Sequence, residues 1–266
     1  MPIWGVRDAP KVKYRPDLKL LPYAYLGYDP DRGHLVNGGL DFKTELPGRI
    51  SAVGTINPDF RNIEQSVLPL SFSRFELLAD ETRPFFLEGS EYVMSDIFAS
   101  QRIGDFDFGL NVNGALSSKT SFGLLNTFDF GRTFASVGKL SHRFSDKLGM
   151  RTSFTALETP DTHNHAGSTA ISYSDGPFYL GAAAGRTWDS MQGKGDQWTL
   201  ETGYSTERMY ASVFYSSVQQ SYSPGLGYTP EVDYKGPSYF VYYNQPLKGG
   251  PVEEWSINAG YSDLQR

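Results

Sequence analysis

The chain has 266 residues with no cysteine, 28 glycines, 17 tyrosines, 18 phenylalanines and a formal net charge of −6. The acidic balance and the lack of a basic run argue against a general nucleic-acid binder, and the missing cysteines exclude a disulfide framework or a cysteine-rich metal site. No run of about 18 apolar residues is present, which excludes a transmembrane helix but leaves a transmembrane β-barrel open.

Residues 1–17 carry Pro2, Pro10 and Pro16 and predict an extended lead-in. They lack the basic start and apolar core of a signal peptide. From residue 18 to 266 the pattern predicts one all-β domain of antiparallel strands. The expected strands are 18–28, 34–43, 48–57, 105–113, 121–130, 133–144, 148–157, 167–174, 177–187, 197–204, 208–218, 232–243 and 254–262. Period-two alternation is plainest after residue 105, where Phe106, Phe108, Leu110 and Val112 alternate with Asp105, Asp107, Gly109, Asn111 and Asn113.

Strands of about 9 to 11 residues suit a tilted bilayer crossing, whereas strands of a soluble sandwich average about five or six. Tight links are expected around Pro47, Ser118, Asp146, Asp175 and Thr206, and long ones around Asp161–His165, Asp189–Gly195 and Gln219–Glu231. Such alternation suits an outer-membrane barrel with short inner turns and long outer loops. Tyr28, Trp198, Tyr204, Tyr243, Trp255 and Tyr261 near strand ends suggest an aromatic girdle. An odd strand count, against the even counts of single-chain bacterial barrels, predicts truncation at the C-terminus.

Residues 58–104 interrupt the pattern and predict an inserted plug or loop segment. Asn57-Pro58-Asp59-Phe60 is a turn. Arg74-Phe75-Glu76 and Arg83-Pro84-Phe85-Phe86-Leu87-Glu88-Gly89 each set opposite charges around aromatic rings. Together with Ile63-Glu64 and Ser100-Gln101-Arg102-Ile103-Gly104, these motifs resemble a family of bacterial outer-membrane proteins. In that family a carbohydrate-binding module of the family 9 type precedes a C-terminal β-barrel domain of unknown function. The resemblance covers about residues 20–110 and departs from the family at Gln101, where arginine is common, and at Leu77–Asp80. It implies an outer-membrane location in a Gram-negative envelope, membrane lipid as a partner, and polysaccharide reached through an N-terminal module.

Read from the residues alone, the segment is chiefly structural. A polar lumen can hold a network of Asp59, Glu64, Arg74, Glu76, Arg83, Glu88 and Arg102, in which Arg83 and Arg102 pair with Glu76 and Glu88. On that view Arg83→Ala costs more stability than Lys139→Ala or Lys147→Ala. An enzymatic alternative, a surface polysaccharide-binding protein or hydrolase, has to use Glu76 with Glu88, or Asp59 with Glu64, as an acid and base pair. His163 and His165 lack an evident third metal ligand. The runs 185–187 and 193–195 lack the strand and helix of a phosphate loop, and no G-x-S-x-G motif is present. The sequence therefore predicts an outer-membrane barrel serving as pore, anchor or surface display, with no cofactor, no metal and no assigned catalytic residue.

Overall fold

The computed structural model describes residues 17–29, 33–58, 78, 80–247 and 253–266. The fold is all-β: the described residues form thirteen antiparallel strands in one sheet, each hydrogen-bonded to its neighbours in sequence. The strands are β1 Leu18–Asp29, β2 Gly33–Leu46, β3 Ile50–Ile56, β4 Phe108–Ala115, β5 Thr120–Asp129, β6 Thr133–Arg143 and β7 Leu148–Glu158. They continue as β8 His163–Asp175, β9 Phe178–Asp189, β10 Gly193–Ser205, β11 Met209–Val218, β12 Tyr234–Pro246 and β13 Glu254–Ser262. Among the described residues no helix is long and apolar enough to cross a membrane, a statement that does not bear on crossing by strands.

The two faces of this sheet have reversed polarity. On β4 the buried face is the polar one, with Asn111 at 0% and Asn113 at 3% exposure, while Leu110 and Val112 lie on the less buried face. Asn164, Ser168 and Thr187 are likewise buried, and Ile171, Leu180 and Leu200 are exposed. Leu26 and Val36, which face each other across β1 and β2, are each 77% exposed. A soluble sheet with one solvated face turns its apolar side chains inward; this one turns them outward.

Two links are long, 57–107 after β3 and 219–233 after β11, and both follow odd strands, so both emerge at the same end of the meander. The long links expected around Asp161–His165 and Asp189–Gly195 are instead short turns. Thr159 closes on Thr162 through its backbone N–H and its hydroxyl, and only residues 190–192 separate β9 from β10. His163 and His165 are accordingly strand residues. The polarity of these runs reads as loop, but β8 to β10 continue as a ladder beyond their apolar stretch.

The first long link folds back along the polar face. It contains α1 Pro84–Leu87, a single turn with proline at its start, and two 3-10 turns at Ser90–Tyr92 and Ser100–Arg102. Its residues bond to Lys43 of β2, Asn111 of β4, Lys139 of β6, Ser168 of β8 and Gln197 of β10. One short segment can reach so many strands only if the sheet curls around it, as the wall of an up-and-down barrel does. Two glycines permit the close fit. Gly89 has φ 65° and lies against the Asn113 side chain, and at Gly123 a Cβ would collide with the Tyr92 carbonyl.

Gly123→Val should therefore lower stability by about 1–3 kcal/mol through forced displacement of the insert. Gly138→Val, at a position with open space around the would-be Cβ, should leave it within about 0.5 kcal/mol. Urea titration of both variants checks the contrast.

Candidate functional site

The insert is held around one guanidinium. Arg83 lies at the N-cap of α1 in extended conformation, which directs its side chain back along the chain toward Glu81. Its Nε and Nη2 donate to the two Glu81 carboxylate oxygens at 2.9 and 2.8 Å, while Nη1 and Nη2 donate to the carbonyls of Ile103 and Ser100, each at 2.7 Å. The Arg83 backbone N–H also donates to Glu81, at 2.9 Å. The guanidinium carbon stands 4.1 Å above the Phe86 ring. A forked donor of this kind ties the start of the described insert, at Glu81, to its return limb at residues 100–103. Burial pushes the Glu81 carboxyl upward, but the hydrogen bonds from Arg83 and Ser100 outweigh it, so the group sits below its ordinary range.

Beneath the clamp the insert brings its own apolar core. Phe85, Phe86, Val93, Phe98, Ile103 and Phe106 cluster with Leu125, Ala135 and Val137 of β5 and β6, and with Leu226 from the second long link. Phe86 meets Phe85 and Phe106 edge-on, at 5.1 and 5.9 Å between centroids. The two long links also bond directly: Ala99 N–H donates to the Leu226 carbonyl at 2.7 Å, and Arg102 Nε to that of Gly227 at 3.2 Å. Ile97 and Tyr222 share a second buried cluster with Ala166 and Val218. Asn164 pins the second link, donating to the Ser223 carbonyl at 2.8 Å and accepting from Gly225 N–H at 2.7 Å.

The inner face of the wall supplies polar side chains to the backbone of the insert. Asn111 Nδ2 donates to the Glu88 carbonyl at 2.8 Å, and Lys139 Nζ donates to the carbonyls of Glu91 and Met94 at 2.9 and 2.7 Å. Ser168 donates to Asp96 at 2.9 Å. Lys43 forms an ion pair with Glu88 at 2.5 Å.

Of the residues expected in a lumen network, Arg83, Glu88 and Arg102 are therefore brought to the concave face. Glu88 pairs with Lys43 and not with either arginine, because it projects toward β2 while Arg83 points back toward Glu81. Asp59, Glu64, Arg74 and Glu76 lie outside the described residues, as do the carboxylate pairs that include them. Lys139 is an anchor of the insert, through the carbonyls of Glu91 and Met94. Lys147 pairs with Asp175 at 2.7 Å at an exposed turn. Sequence reading missed Glu81, Lys43 and Asn164; the available signal was the parity of Lys43 and Lys139, each an inward position on its strand.

His165 is hydrogen-bonded to Glu158 at 2.5 Å on the outer face. Among the described residues no three histidine, aspartate or glutamate side chains approach closely enough to hold a metal ion. The runs 185–187 and 193–195 belong to the β9–β10 hairpin, where Arg186 makes a two-point pair with Asp196 at 2.6 and 2.9 Å. The six aromatic residues expected in a girdle all fall on the outer face by strand parity. Tyr204 packs on Phe178 at 5.1 Å and Tyr243 on Trp255 at 5.6 Å, so four rings gather at the short-turn end.

Fold and site together define an up-and-down β wall, apolar outside and polar inside, whose concave side is occupied by two of its own links. A family model described as Domain of unknown function (DUF5916) matches residues 16–150. That is just over half of the chain, which belongs to this family. No curated protein sequence matches it.

Among solved structures, the BenF-like porin from Pseudomonas fluorescens Pf-5 aligns over 95% of this chain and 70% of its own, at 12% identity and a TM-score of 0.46. Pseudomonas aeruginosa OccK3 (OpdO) aligns over 94% and 82%, at 11% identity and a TM-score of 0.43. Acinetobacter baumannii OccAB3 aligns over 94% and 81%, at 10% identity and a TM-score of 0.40.

Arg83→Ala strands the Glu81 carboxylate, 13% exposed, and should cost about 3 kcal/mol; Lys19→Ala, at an exposed pair, should cost less than about 0.5 kcal/mol. Because the Glu81 pKa is depressed in the fold, its contribution is present above the unfolded value of 4.5 and is lost as pH falls through the lower folded value. The stability gap between the parent and Glu81→Gln should accordingly be widest near pH 6 and shrink below pH 4 in urea titrations.

Proposed function

We propose that this chain forms the wall of a bacterial outer-membrane β-barrel whose lumen is narrowed by residues 81–107 and 219–233, giving a restricted pore or a sealed anchor. The observation that carries the reading is the reversed polarity of the sheet. Exposed apolar side chains such as Leu26, Val36, Ile171, Leu180, Leu200 and Val213 need an apolar surrounding, which lipid supplies and water does not. Above that band, at the long-link end, the outer face turns polar with Glu158, His165, Arg186 and Asp196, as strands do where they leave a bilayer. The aromatic rings at the opposite end suit the other interface.

Among the described residues β1 pairs only with β2, and β13 only with β12. In lipid both edges must be paired, so the working barrel closes β1 and β13 on each other or on additional strands. The motif resemblance adds a carbohydrate-binding module of the family 9 type on the periplasmic or outer side, and through it polysaccharide as a partner. This addition rests on the motifs alone.

The protein refolded in detergent should run as a heat-modifiable band, and in planar bilayers it should conduct weakly. Deleting residues 84–106 should raise the conductance several-fold. A single outer-face charge, Leu200→Arg, should cost about 2–4 kcal/mol in lipid. A chain that is soluble and monomeric without detergent would overturn the membrane reading.

A further inference from the structure

Among the described residues the concave face is filled at the long-link end and open at the short-turn end. There the inner sides of β5 to β8 border a recess of about 530 Å³. Strand parity turns Ser121, Ser141, Ser172 and Ser174 toward it together with Arg143 and Arg151. Arg151 lies opposite Ser141 and Arg143 opposite Gly149, so the two arginines are diagonal neighbours, about 7–8 Å apart at the backbone. Lys139, opposite Ser153, is the next diagonal position toward the insert. The three cations thus step from the mouth of the recess up to the point where Lys139 holds the insert.

These charges are only partly compensated. Around the recess Lys119, Arg143, Lys147 and Arg151 face Asp146 and, through Lys147, Asp175: four positive charges against two negative give +2 locally, in a chain whose net charge is −6. Asp175, just outside, is held by Lys147 at 2.7 Å. Arg143 donates to a neutral backbone carbonyl, that of Ser118, at 3.1 Å. Among the described residues Arg151 has no ion-pair or hydrogen-bond partner, although it is one strand away from serine hydroxyls that can donate beside it. A concave polar wall whose guanidinium forks keep donors to spare is the arrangement that takes planar or tetrahedral oxyanions.

We propose that this recess is a binding site for small anionic solutes bearing carboxylate or phosphate groups, with Arg143 and Arg151 as the recognising pair and the serine hydroxyls as secondary donors. The site rests on the reading of the concave face as a lumen, where it forms the vestibule below the insert. It faces away from the apolar outer surface, so its ligand is a free solute and not a lipid headgroup.

The test uses the full chain refolded in a non-ionic, phosphate-free detergent, with inorganic phosphate as the probe followed by phosphorus NMR line broadening and succinate as competitor. Saturable broadening is expected in the millimolar range, displaced by succinate and weakened as salt is raised. Arg143→Ser with Arg151→Ser should weaken it at least tenfold. Arg143→Lys with Arg151→Lys, which keeps the charge and loses the fork, should weaken it about threefold, and Lys194→Ser on the outer face should not change it. Absence of saturable binding to a heat-modifiable, folded chain would overturn the proposal, as would equal binding by the double serine variant. Broadening abolished by added phospholipid would assign the recess to headgroups instead. Binding is read in detergent and needs no conduction, so a silent bilayer recording counts against the pore reading and leaves this site standing.

Discussion

The structure depends on a constraint set by the wall: its concave face is polar, so whatever fills the concavity must arrive with hydrogen-bonding groups in the right places. An ordinary apolar core would leave the Asn111 amide N–H, the Ser168 hydroxyl and the Asn164 side-chain carbonyl without the partners the links give them, each at a cost of about 1–3 kcal/mol. The insert meets this demand with irregular backbone. A short helical turn and two 3-10 turns leave carbonyls unspent, and those of Glu88, Glu91 and Met94 accept from Asn111 and Lys139. Backbone at the core of a barrel is thus satisfied by side chains of the wall, the reverse of the usual globular arrangement.

The insert also solves the complementary problem of its own cohesion. The inner wall offers few apolar contacts, chiefly Leu125, Ala135 and Val137 on adjoining strands, so the segment carries its own ring cluster, Phe85, Phe86, Phe98 and Phe106, and docks it on that patch. Leu226 from the second link completes the cluster. The two long links therefore form one packed body supported by several strands, with Arg83 closing its upper side and Lys139 tethering its lower side. Loss of either tether should loosen the body while the strand ladder persists, because the ladder bonds run between strands and not through the insert.

Much of this was legible in the sequence and some was not, for physical reasons. Thirteen strands can be counted because side-chain alternation has a period of two and the turns carry their own residues, such as Asp129 to Arg132 and Asp175-Gly176. Residues 161–165 and 189–195 read as loops because their strands rise above the apolar band; with polar residues on both faces, as at His163 to His165 and Lys194 to Asp196, the alternation that marks a strand disappears. The RPFFLEG run was legible as a unit, since its charges and rings are close in sequence. Its partners were not. Glu81 pairs with Arg83 because of the extended backbone before α1, and Lys43 reaches Glu88 only once the register of β2 with β3 is fixed.

The same register explains why the two ends of the concave face differ. Inner positions of β5 and β6 run Thr127, Leu125, Gly123, Ser121 and Ala135, Val137, Lys139, Ser141, Arg143 from the long-link end downward. Apolar and small residues occupy the upper half, where the insert docks, and serine and arginine the lower half, where no described residue of the insert docks. The change falls at Lys139 and Gly123, the two positions that touch the lower edge of the insert, one through a hydrogen-bonding cation and the other through the absence of a side chain. A cation beyond Lys139 gains nothing from the described residues of the insert, so Arg151 and Arg143 are not required to hold those. Their place on an otherwise acidic chain is thus a matter of electrostatics at the mouth and not of packing at the core.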